Sequence, residues 1–66
     1  LVADKEMMLH LKSLLKKAKK IPVRSMGGSY IVNSLRGRIM TMIEEKKYHP
    51  RALKEVEGKV EKRLNP

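Results

Sequence analysis

The side chains best suited to chemistry in this sequence are lysines and arginines, and many lie in one stretch. Residues 7–43 contain eight basic residues and no acidic residue, within a chain of 66 residues whose formal net charge is +9. A surface that only keeps a protein in solution mixes both signs of charge, so this bias favours an anionic partner. The residues expected to contact nucleic-acid phosphates are Lys12, Lys16, Lys19, Lys20, Arg24, Arg36 and Arg38.

Phosphate binding of this kind requires positive charge and reach, and it requires no geometry for reading bases. In the basic half of the chain Tyr30 is the one side chain that could stack on a base, which disfavours an aromatic platform for single strands. The corner at residues 48–50 lacks the Gly expected in a helix-turn-helix motif. The sequence therefore predicts a non-enzymatic module that binds the backbone of DNA or RNA without strong sequence specificity.

Groups suited to catalysis or metal binding are few in this chain. His10 and His49 are the only imidazoles, and there is no Cys to complete a structural zinc site. Ser13 follows His10 by three residues but belongs to no convincing catalytic triad. The Gly27 and Gly28 pair lacks the spacing of a nucleotide-binding loop, and we interpret it as a hinge. We expect no enzymatic activity, no metal and no cofactor.

The competing interpretation is a small regulatory or inhibitory protein that binds an acidic protein partner with an apolar groove, for example a replication clamp. The five Met residues supply adaptable apolar contacts, and residues 21–26 alternate in polarity around Pro22. Such an extended segment can add to the exposed sheet edge of a partner. The residues assigned to this surface are Met7, Leu11, Ile21, Val23, Met26 and Tyr30. A helix lying on anionic lipid ranks last, because Trp and Phe anchors are missing.

Three helices must position these side chains, and local signals predict them at residues 5–20, 29–47 and 50–64. Asp4 is a suitable N-cap for the first helix, and Pro22 disfavours its continuation. The glycine pair at 27 and 28 allows a change of direction, after which Ser29 is expected to cap the second helix. Pro50 suits the first position of the third helix.

Each predicted helix carries an apolar stripe with helical spacing. The stripes contain Met7, Met8, Leu11, Leu14, Leu15 and Ala18, then Ile31, Val32, Leu35, Ile39, Met42 and Ile43, and finally Leu53, Val56, Val60 and Leu64. The third stripe is narrower, and Gly58 interrupts its helix, so we expect a weaker C-terminal helix. The sequence thus predicts one small all-α domain of three helices, with an extended connector at residues 21–26.

Composition sets the remaining bounds. The absence of Cys excludes a disulfide scaffold, and the longest uncharged run is 11 residues, short of the roughly 20 that a membrane span needs. No secretory signal is recognisable, so we expect a cytoplasmic or nucleoid-associated protein. Lys and Glu are abundant while Gln is absent, a bias typical of thermophile proteins. The oligomeric state is left open.

Overall fold

The chain folds into three α-helices, as a computed structural model describes for the backbone of residues 1–22 and 26–65, and for their side chains except those of 26–29. Helix α1 spans Lys5–Lys19, α2 spans Met26–Glu45 and α3 spans Pro50–Leu64. The described part of the chain contains no strand beyond an isolated bridge between Val2 and Lys47. The predicted all-α class with three helices is confirmed.

The start of α1 follows the local signal in the sequence. The Asp4 carboxylate accepts a hydrogen bond from the backbone N–H of Met7 at 2.8 Å, so it caps the first turn as predicted. The helix ends one residue earlier than predicted, with Lys20 as the C-cap. The backbone N–H of Lys20 donates to the carbonyl of Lys17 at 3.0 Å, and this bond closes the last turn.

The start of α2 differs from the prediction. The helix begins at Met26, three residues before the expected cap at Ser29, and Gly27 and Gly28 lie within its first turns. Glycine permits a left-handed turn but does not require one, so a helix can extend through it at a modest cost. Met26 is therefore helical rather than part of an extended connector. Of the other connector residues, Ile21 and Pro22 lie outside the helices, and Val23, Arg24 and Ser25 lie outside the described residues.

The end of α2 also differs, since the helix stops at Glu45 rather than at residue 47. Lys46 adopts a positive φ of 55°, its N–H donates to the Ile43 carbonyl at 3.3 Å, and the N–H of Lys47 donates to the Met42 carbonyl at 3.2 Å. These two bonds form a Schellman motif, which ends a helix by satisfying its last carbonyls. Glycine usually occupies the left-handed position, and its absence here explains why the sequence did not reveal the helix end.

Contacts between distant residues define the order of packing. Arg36 of α2 bonds to the carbonyl of Ala18 at the end of α1, while the N–H of Ala3 donates to the carbonyl of Lys46 at 2.8 Å. The first two helices are therefore antiparallel. His10 of α1 contacts Glu57 of α3 at 3.1 Å, so α3 lies alongside α1. The N–H of Tyr48, just before α3, donates to the carbonyl of Leu1, just before α1, so these two helices start at the same end and run parallel.

The core draws on all three helices and on the segments that flank α1. Its buried members are Ala3, Leu11, Leu14, Ala18, Ile21, Val32, Leu35, Ile39, Met42, Leu53, Val56 and Val60. The contact between α1 and α2 is more extensive than the contact of either helix with α3. This difference agrees with the expected weaker C-terminal helix, although Val56 and Val60 are fully buried. No helix in the described residues is long and apolar enough to cross a membrane.

Candidate nucleic-acid interface

The outer side of α1 forms a basic surface, called here the α1 basic face, which consists of Lys12, Lys16, Lys19 and Lys20. All four side chains are exposed, whereas Leu11, Leu14 and Ala18 on the opposite side are buried in the core. Within residues 1–22 and 26–65, no carboxylate lies at ion-pair distance from these four ammonium groups. The face therefore presents four uncompensated positive charges on a rigid helix.

Arg36 also has no ion-pair partner within residues 1–22 and 26–65, but its guanidinium is bonded to the backbone of α1. Its Nε donates to the Ala18 carbonyl and its Nη2 to the Lys19 carbonyl, each at 3.2 Å. These carbonyls lie in the last turn of α1, where backbone acceptors lack partners within the helix and where the helix dipole is negative. The half-buried guanidinium thus ties α2 to the end of α1. It supports the position of the α1 basic face, and the two bonds use two of its five N–H donors.

Arg38 is also engaged by the fold, although more weakly. Its Nη1 lies 3.8 Å from Oε1 of Glu55 on α3, and the same oxygen accepts a hydrogen bond from Nζ of Lys59 at 3.0 Å. The hydrogen bond and charge of Lys59, with a smaller effect of Arg38, hold the pKa of Glu55 below its ordinary value. A lowered pKa means that the carboxylate's favourable contribution is present above its ordinary pKa and is lost as the pH falls through the lowered value.

The C-terminal half of α3 contributes basic residues that sequence reasoning missed. Lys59, Lys62 and Arg63 line an open cleft of about 500 Å³ together with Ile31 of α2. This surface is called here the α2–α3 cleft. The near balance of acidic and basic residues after residue 44 concealed it, because the acids Glu55 and Glu57 are held in contacts with other side chains. The helical spacing of 59, 62 and 63 is the signal that would have revealed the cluster.

The residues assigned to a protein partner lie in different environments. Leu11 and Ile21 are 0% and 5% exposed and belong to the core, so their side chains are not available to a partner of the folded chain. Met7 is half-buried and packs against the same core. Tyr30 is 78% exposed on the outer side of α2. Val23 and the side chain of Met26 lie outside the described residues, as does Arg24 of the basic set.

The two imidazoles lie apart. His10 contacts Glu57 in the middle of α3, whereas His49 precedes the first residue of α3 and lines an open cavity of about 390 Å³. Position 57 follows position 49 by eight positions, which is about 12 Å along a helix axis. In the part of the chain that the structure describes, no group of three or more His, Cys, Asp or Glu side chains could hold a metal ion.

Comparison of the sequence with protein-family models and with curated proteins, and of the structure with solved structures, gives no match.

Proposed function

We propose that this protein is a non-enzymatic module that binds nucleic-acid backbone through the α1 basic face, without strong sequence specificity. The observation that carries the proposal is the set of four exposed lysines with no carboxylate at ion-pair distance among the described residues. An ordinary solvated helix face alternates both signs of charge, and this one does not. Uncompensated charge on a rigid element attracts polyanions and gains free energy from counterion release.

The dimensions of the face suit a nucleic-acid backbone. From Lys12 to Lys20 the helix rises about 12 Å, a length over which duplex DNA presents roughly seven phosphates. Lysine ammonium groups bind phosphate as point charges, without the planar fork that arginine offers to guanine. The exposed set contains no Asn, Gln or Arg, so it lacks the side chains that most often read base edges. Binding dominated by phosphate contacts is the expected result.

The test compares two variants with the same net charge. Lys12, Lys16 and Lys20 are replaced by Gln in the first variant, and Lys46, Arg51 and Lys54 are replaced by Gln in the control. Lys46 bonds to Ala3, and Arg51 and Lys54 lie in the first turns of α3, so the control charges lie toward the N-terminal end of α1. Each variant loses three positive charges, which lowers the formal charge from +9 to +6. Affinity for a mixed-sequence duplex is measured across a salt series. We expect the slope of log affinity against log salt to fall by about 2 to 3 in the face variant only, since each lost phosphate contact removes about 0.9.

Two results would contradict the proposal. If the unmodified protein fails to bind duplex DNA, duplex RNA and single strands even at low salt, the backbone-binding function is wrong. If the control variant loses as much affinity as the face variant, binding reflects net charge alone and the α1 basic face has no special role.

A small regulator that binds an acidic protein remains the second candidate, with less support, because Leu11 and Ile21 of its assigned surface are in the core. Pull-down from a cell extract treated with nuclease distinguishes the two functions. A protein partner that survives nuclease and is lost in a Tyr30→Ser variant would favour the regulator. Loss of all partners after nuclease would favour the backbone-binding module.

A further inference from the structure

The α2–α3 cleft is a second concentration of positive charge that the proposed function does not use. Lys59, Lys62 and Arg63 form one wall and Ile31 lies opposite them. Of the three cations in this wall, Lys59 is paired with the carboxylate of Glu55, at 3.0 Å. Lys62 and Arg63 have no ion-pair partner within residues 1–22 and 26–65. Positive charge in a concave site raises the local concentration of anions.

The cleft and the α1 basic face lie on opposite sides of the molecule. On α2 the side facing α1 is marked by Arg36, and Ile31 lies about 140° around the helix from it. On α3 the side facing α1 is marked by Glu57, and Lys59 lies about 160° around the helix from it. The cleft therefore opens away from α1, whereas the α1 basic face points outward from the α1 side of a bundle only 18 Å across.

We propose that the α2–α3 cleft binds the sugar–phosphate backbone of a second nucleic-acid segment, so that one molecule bridges two segments. The inference rests on the proposed function, because the first segment is held by the α1 basic face. A straight duplex cannot touch opposite sides of the bundle at once, so two occupied sites require two duplexes or two distant parts of one.

The chemistry of the cleft suits this ligand. The ammonium groups and the guanidinium bind phosphate oxygens, and the guanidinium can do so with two parallel hydrogen bonds. Ile31 is 39% exposed and offers an apolar contact to the carbon atoms of a sugar. A volume of about 500 Å³ lies within the usual range for small-ligand sites, which is large enough for a nucleotide unit.

The experiment measures capture of one duplex by another. A duplex is immobilised on beads and loaded with protein, and a fluorescent duplex of different sequence is then added. The first variant combines Lys62→Gln with Arg63→Gln, and the matched control combines Arg51→Gln with Lys54→Gln, which removes the same charge from the N-terminal half of the same helix. A third variant, Ile31→Glu, introduces a carboxylate from the α2 wall. Protein retained on the beads is quantified in parallel, and helicity is checked by circular dichroism.

We expect the unmodified protein and the control to capture the second duplex. The Lys62/Arg63 and Ile31 variants should remain on the beads. They should capture at least about tenfold less of the fluorescent duplex, because the second set of phosphate contacts is lost. Retained protein with no capture by the unmodified chain would overturn the bridging inference and leave the proposed function intact. If the Lys62/Arg63 variant captures as much of the second duplex as the unmodified protein does, the bridging inference is also wrong. A dimer that binds one duplex through each of its two α1 basic faces would give this result. No retained protein at all would overturn both proposals.

Discussion

Arg36 shows how the role of one side chain depends on its neighbours in space. In the sequence it stands between Leu35 and Gly37 as one more positive charge in an acid-free stretch. In the fold its guanidinium donates to the carbonyls of Ala18 and Lys19, at the end of a different helix. A charged donor that satisfies helix-terminal carbonyls stabilises the fold, and these two bonds use two of the five N–H donors of the guanidinium.

Replacing Arg36 by Ala is therefore expected to lower the free energy of unfolding by about 1 to 3 kcal/mol, because two charge-assisted hydrogen bonds are lost. Arg36→Lys should recover only part of this, since an ammonium group lacks the planar fork. Arg38→Ala is the control, and its exposed ion pair should contribute at most about 1 kcal/mol. Urea unfolding followed by circular dichroism gives the three values. Equal losses for Arg36→Ala and Arg38→Ala would show that the contacts of Arg36 are not special.

At the scale of the elements, the end of α2 is an unusual feature. Lys46 occupies the left-handed position of a Schellman motif, with a φ of 55°, where a side chain with a Cβ is disfavoured. The motif nevertheless orients the next segment, since the N–H of Tyr48 donates to the Leu1 carbonyl at 2.9 Å. The bonds between residues 1–3 and 46–48 hold this end of the bundle together.

Lys46→Gly is expected to raise the free energy of unfolding by about 0.5 to 1 kcal/mol, because glycine adopts the left-handed conformation without steric cost. The matched control is Lys47→Gly, at a neighbouring residue that does not have a positive φ. That substitution should give no gain, since it only adds freedom to the unfolded chain. Thermal and urea unfolding of both variants provide the comparison. A loss of stability in Lys46→Gly would indicate that the lysine side chain itself stabilises this corner.

At the scale of the whole molecule, α3 closes a core that α1 and α2 leave open on one side. Val56 and Val60 are 0% exposed, and they come from the helix with the smallest contacts. A domain of 66 residues has a total stability of about 3 to 10 kcal/mol, so the loss of a few buried methyl groups is a large fraction of it. The bundle should therefore unfold as one unit rather than helix by helix.

Val56→Ala is expected to lower the free energy of unfolding by about 2 to 3 kcal/mol, because buried methyl groups are removed and a cavity remains. Val2→Ala, at a side chain that is 77% exposed, is the control and should change it by less than about 0.5 kcal/mol. Unfolding is followed by circular dichroism and by amide resonances of each helix. Separate transitions for α3 and for the other two helices would contradict a single cooperative core.

Local signals in the sequence were sufficient for α1, for the start of α3 and for most of the apolar faces, but not for the bounds of α2 or for Ile31, which was expected in its apolar stripe and is 39% exposed. The Asp4 cap, Pro50 at the first position of α3 and the buried stripe Leu11, Leu14 and Ala18 are all present in the structure. Each depends on residues within one or two turns of one helix, so each can be recognised from spacing alone. The exposed lysines of α1 follow from the same periodicity, because they lie opposite that stripe.

The environment of the other candidate site residues was decided only by the tertiary structure. Whether Arg36 is free depends on Ala18, which is 18 positions away, and the pairing of Arg38 depends on Glu55 in a different helix. No residue near Lys46 in the sequence indicates its left-handed backbone. The residues that bond to this corner, Ala3 to Lys46 and Leu1 to Tyr48, lie at the start of the chain. The α2–α3 cleft likewise exists only because packing brings Ile31 beside α3. Periodicity shows which side of a helix is buried. The hydrogen-bond and ion-pair partners of the side chains beside that buried side are set by how the helices pack.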